Sequence, residues 1–170
     1  MERFTKSLRS SVKHQDWYVA LSSALTLPDV CGRLIDPKKH SGPRYKEWFD
    51  QWMAPSYTAT LPGIGSHCFL SGGDCYALRC SYLHNGGTDI TQQRARNALD
   101  DFHFIVPPGN GCSIHCNRIN NKLQLQVDIF CLDVADAVDR WALSVKDNHE
   151  IQQRMRSLIA IYKYGTGIPL

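Results

Sequence analysis

Arg79 and His84 are the two side chains in this sequence whose types and spacing best suit chemistry. A guanidinium is a planar fork of N–H donors that grips a phosphate through two of them, while an imidazole exchanges a proton near neutral pH. Together they supply what breakage of an RNA phosphodiester requires. The 2′-hydroxyl must lose its proton, and the charge that builds on phosphorus must be stabilised, neither of which needs a metal. Five residues of helix separate the two by about 7.5 Å of rise and about 140° of rotation, so they do not share one stripe. A long arginine and a histidine in the last turn still reach a common ligand.

The element that must present them is residues 71–87, SGGDCYALRCSYLHNGG. Ser71 has the chemistry of an N-cap, and Asp74 stands where a capping box places its acid. Asn85-Gly86-Gly87 readily takes the left-handed geometry that stops a helix. The sequence therefore predicts a motif helix over 72–85.

Around it we read one domain, 1–170. Residues 1–13 are a polar arm, frayed or weakly helical, and 14–100 form a helical part. Within that part, Trp17, Ala20, Leu21, Ala24, Leu25 and Val30 give a helix over 16–35 with Pro28 inside it, and Tyr45, Trp48, Phe49 and Trp52 give a second over 43–53. A third, amphipathic helix is predicted over 89–100, with Arg94 and Arg96 exposed as substrate-binding candidates for a phosphate backbone. Residues 102–130 alternate as strands 102–106, 112–118 and 122–130, with Asn120-Asn121 as a turn, and predict a three-stranded antiparallel meander. Two helices, the first capped by Asp133 and the second over 150–164, occupy 132–165. The fold class is α+β, mainly helical with a small inserted β-meander.

The 170 residues are enough to bury about two-thirds of the unfolded surface without staples. A net charge of +3 permits contact with a polyanion without the strong basic patch of a dedicated DNA-binding domain. The odd count of seven cysteines, with a polar and charged start, leads us to expect a reduced, cytoplasmic setting.

Leu78-Arg79-Cys80-Ser81-Tyr82-Leu83-His84-Asn85-Gly86 resembles the signature of HEPN domains, in which an arginine is followed within the next turns by a histidine at a helix end. Cys80 stands where such motifs usually carry a polar residue. The resemblance implies HEPN-like helices, a metal-independent endoribonuclease of toxin or phage-defence type, and Arg79 and His84 as its catalytic pair. It also implies a homodimer, an RNA substrate, a possible cognate antitoxin, and no cofactor. The 102–130 strands would then be an insertion.

Other readings of the same residues stay open. Arg79 can pair with Asp74 or Asp101 while His84 caps its own helix, leaving a non-catalytic dimerisation or nucleotide- or partner-binding module. Cys80 and His84 lie one turn apart and can ligate a metal, although no C-x-x-C knuckle accompanies them. His103 and His115 read as solvated strand residues, and most cysteines as small core hydrophobes.

Overall fold

The computed structural model describes residues 1–63, 65–109 and 111–162. Its elements in chain order are α1 (Glu2–Lys13), α2 (Trp17–Ile35), α3 (Ser41–Trp52), a 3₁₀ turn (Ala54–Tyr57), β1 (Thr58–Leu61) and β2 (Gly65–Cys68). There follow α4 (Gly72–Asn85), β3 (Asp101–Ile105), β4 (Asn117–Ile119), β5 (Lys122–Gln126), α5 (Val127–Ser144) and α6 (His149–Arg156). The fold is α+β.

The two apolar stripes foreseen for α2 and α3 are core. Ala20, Leu21, Ala24, Leu25 and Cys31 are buried against Tyr45, Trp48 and Phe49 in one continuous cluster. The two helices touch closely at Gly32, where a Cβ would lie 2.7 Å from the Arg44 carbonyl oxygen. Pro28 sits within α2 without ending it.

Residues 1–13 are not a frayed arm. Phe4, Leu8 and Val12 recur every fourth residue, and this narrow stripe lays α1 on the core with Leu8 fully buried. Its polar side is bonded too, since Arg9 pairs with Asp136 at 2.6 Å and Asp139 at 2.8 Å on α5, and Thr5 Oγ1 donates to Asp139 at 2.9 Å.

The helix expected over 89–100 does not form. Its apolar residues Ile90 and Leu99 are buried, but its backbone bonds go elsewhere. The Ile90 N–H donates to the Asp100 carbonyl, the Thr91 N–H to the Asp89 side chain, and the Asn97, Ala98 and Leu99 N–H groups to Asp74. One local side-chain acceptor, Asp89, and the distant Asp74 carboxylate on α4 take amides that a helix ladder would need.

The sheet is mixed, not an antiparallel meander. β5 lies in the centre, parallel to β3 and antiparallel to β4, with Leu123 opposite both Phe102 and Arg118. The Asn120-Asn121 turn joins β4 to β5 as expected, with Asn120 at φ 55. The 112–118 strand shrinks to Asn117–Ile119 because Cys116 takes a left-handed φ of 56, which breaks an extended run. β5 stops at Gln126, and α5 begins two turns before the expected Asp133 cap. Val127, Phe130, Cys131 and Val134 satisfy a helical period that the overlapping alternation of 122–130 concealed. α6 ends at Arg156 rather than continuing, and residues 163–164 of the predicted last helix lie outside the described residues. A separate antiparallel hairpin, β1 with β2, precedes α4.

Candidate functional site

α4 is built as its sequence dictates. The Ser71 hydroxyl accepts the Asp74 N–H at 3.1 Å and donates to Asp74 Oδ2 at 2.8 Å. The Gly72 N–H donates to Asp50 on α3 at 2.7 Å. Both glycines are required by close approach. A Cβ on Gly72 would lie 2.7 Å from the Lys46 carbonyl oxygen, and one on Gly73 would strike Asn97 Oδ1 and lie 2.8 Å from the Ala95 carbonyl oxygen. At the other end Gly86, at φ +69, closes the helix by donating its N–H to the Tyr82 carbonyl at 2.9 Å.

Arg79 leaves the middle of this helix towards α2. Its nearest acid is neither Asp74 nor Asp101 but Asp29, with Nη2 3.7 Å from Oδ2. That distance is an ion pair without a hydrogen bond. Asp29 is already engaged more closely by Arg44 Nε at 2.7 Å and by the Ser41 hydroxyl at 3.2 Å, and Arg44 in turn donates to the Lys39 carbonyl at 2.9 Å. Arg79 thus has 20% of its side chain exposed, a buried Nε without a partner, and no hydrogen bond to any described residue.

His84 lies in the last turn of α4 and is exposed, with no hydrogen bond or ion pair among the described residues. No hydrogen bond joins it to Arg79 among the described residues, and the two share α4. Arg94 is exposed and borders a cleft of about 500 Å³ together with Tyr76 and Lys46. Arg96 turns back on its own loop, donating to Asp100 at 2.6 Å and to the Leu99 carbonyl at 3.3 Å.

Among the described residues no group of three or more histidine, cysteine or acidic side chains is placed to hold a metal ion, and Cys80, half-buried one turn from His84, belongs to none. The buried thiols are poor nucleophiles. Burial pushes Cys75 and Cys131 up to about 12, Cys116 up to about 11, and Cys31 well above its ordinary value. Cys75 lies 3.3 Å from the Tyr45 hydroxyl, so its place near a helix start does not activate it.

His115 lies elsewhere than its sequence pattern suggests. Instead of facing solvent from a strand it is half-buried, accepts the Gln126 N–H on Nδ1 at 3.2 Å, and meets the Tyr57 ring edge-on at 5.5 Å. The Tyr57 hydroxyl donates to Asp133 at 2.9 Å. His103 is half-exposed beside Asp101, 3.6 Å away.

Asp29, Tyr76 and Lys46 were missed from sequence. Asp29 and Lys46 lie on helices read as core packing or a solvated face, Tyr76 lies on the motif helix itself, and only the docking of α2, α3 and α4 brings them around Arg79 and Arg94. Compared with protein-family models, with curated proteins and with solved structures, the chain matches none. No described helix is long and apolar enough to cross a membrane.

Proposed function

We propose that the protein is a HEPN-like, metal-independent endoribonuclease of toxin or defence type, working in the cytoplasm. One observation carries this reading: Arg79 is held electrostatically by Asp29 yet makes no hydrogen bond among the described residues, so its donors remain available to an anion. A largely covered guanidinium without hydrogen bonds is uncommon and calls for a ligand. The accessible His84 takes the proton of a 2′-hydroxyl, whose oxygen attacks the adjoining phosphorus. The 5′-oxygen leaves with the proton that the resulting His84 imidazolium returns, giving a 2′,3′-cyclic phosphate and a 5′-hydroxyl end. A homodimer that sets a second copy of the motif opposite the first completes the site, and a cognate antitoxin would cover it.

Incubation with RNA in EDTA tests the reading. Cyclic-phosphate ends are expected from the native protein and not from His84→Ala or Arg79→Ala. RNA left intact by native protein refutes it.

A second reading, a non-catalytic interaction module, is favoured by the apolar surface beside the helix end. Tyr18 is 81% exposed and Val19 58%, and Tyr82 donates to the Tyr18 carbonyl at 3.3 Å, which fixes α4 against this surface next to exposed Leu83. If Leu83→Asp and Val19→Asp abolish self-association of a protein that cuts no RNA, this reading stands in place of the first.

A further inference from the structure

The cleft beside Arg79 lies between α3 and the loop that follows α4, and its lining is specific in kind. Tyr76 is half-buried and propped. Its ring tilts 58° against Tyr45 at 5.3 Å, and Gly42 lies so near that a Cβ there would be 3.3 Å from Cε1. Lys46 comes from α3 and Arg94 from the loop, and neither forms an ion pair among the described residues. Glu47, the one acid of the lining, is held by Lys39 at 2.7 Å, so the cleft retains positive charge.

The cleft adjoins the candidate catalytic site on two sides. Tyr76 precedes Arg79 by three residues on α4, which makes their side chains neighbours, about 5–6 Å apart at Cβ. Ser41, next to Gly42, binds the same Asp29 that faces Arg79.

A fixed aromatic ring flanked by two unpaired cations matches a planar base carrying a phosphate. We infer that this cleft seats one nucleotide of a single-stranded RNA next to the phosphate held by Arg79, its base against Tyr76 and its own phosphate between Lys46 and Arg94. The inference rests on the ribonuclease reading for the identity of its ligand. Its binding test requires no cleavage.

The probe is a fluorescent 2′-O-methyl oligoribonucleotide, which has no 2′-hydroxyl to react, followed by anisotropy with the full chain. Tyr76→Leu should weaken binding about ten-fold, and Tyr76→Phe, which keeps the ring, should restore it. Lys46→Gln and Arg94→Gln should each reduce the slope of log affinity against log salt by about 0.7. Adenosine 5′-monophosphate should compete poorly because it lacks the neighbouring phosphate. Competition by the mononucleotide as strong as that of the unlabelled strand would assign the cleft to a free nucleotide and overturn the inference. Unchanged binding by Tyr76→Leu, with its melting temperature intact, would also overturn it. Binding that depends on Tyr76 while natural RNA stays uncut keeps the cleft and removes the ribonuclease. Cutting that is indifferent to Tyr76 and Lys46 does the reverse.

Discussion

Asp74 Oδ1 accepts the backbone N–H of Asn97 at 2.7 Å, and those of Ala98 and Leu99 at 3.1 and 3.2 Å. A carboxylate in the first turn of α4, only 2% exposed, therefore fastens the loop that bears Arg94 and Arg96 to the helix that bears Arg79 and His84. Asp74→Ala leaves these amides without their acceptor and should cost about 3 kcal/mol. Asp74→Asn keeps an acceptor oxygen and should cost roughly half of that. Urea unfolding measures both, and an alanine variant as stable as the native protein would show that the loop is held by other means.

Arg79 and Arg44 share Asp29 unequally, and their variants should separate a ligand-binding arginine from a structural one. Arg44 Nε is bonded to Asp29 at 2.7 Å with both side chains more than four-fifths covered, so Arg44→Ala strips a mostly buried carboxylate of its closest partner. A loss of about 2–3 kcal/mol is expected. Arg79→Ala removes a contact 3.7 Å long and leaves the Arg44 bond in place. Its stability should change by less than about 1 kcal/mol while RNA cleavage falls at least about 100-fold. Equal destabilisation by the two variants would make Arg79 structural.

What was legible in the sequence was local. The cap contacts of Ser71 with Asp74 and of Gly86 with Tyr82 span only a few residues, so the bounds of α4 followed from capping chemistry. The aromatic stripe of α3 was readable because 3.6-residue spacing requires no knowledge of the partner. The polar and apolar residues of 89–100 imitate an amphipathic helix, yet the segment folds otherwise because Asp89 takes one of its amides locally and Asp74, more than twenty residues earlier, takes three more. Strand pairing was equally remote. Nothing within 102–130 states that β3 runs parallel to β5. For the candidate site, the types and spacing of Arg79 and His84 were plain, whereas the Asp29 that faces Arg79 lies fifty residues away on another helix.

Thiol chemistry checks the core assignment of the cysteines. Cys31, Cys75 and Cys131 are buried with their thiols held protonated, while Cys68 is exposed. At neutral pH a disulfide reagent should modify Cys68 promptly and reach those three only at the rate of global unfolding. Rapid labelling of Cys75 in folded protein would contradict the packing of α4 on α3.

His115 and Asp133 should give the protein opposing responses to pH. The Gln126 N–H donates to His115 Nδ1, which requires that nitrogen to be unprotonated, and burial lowers the ring's pKa from 6.5 against the pull of Asp133 and Asp128. The unfolded chain then binds a proton that the folded chain refuses. His115 therefore contributes stability that is present above about pH 6.5 and is lost as pH falls through the depressed folded value. Asp133 behaves oppositely. Burial raises it above 3.8, despite the opposing hydrogen bond from Tyr57 and charge of His115, so its contribution is present below about pH 3.8 and is lost as pH rises through the raised value. His115→Asn preserves an acceptor for Gln126 without titrating. Urea midpoints measured from about pH 7.5 down to about pH 5 should fall less steeply for this variant than for the native protein. Parallel slopes, with a ring titration by NMR at or above 6.5, would show that His115 is solvated and that the bond from Gln126 does not hold it neutral.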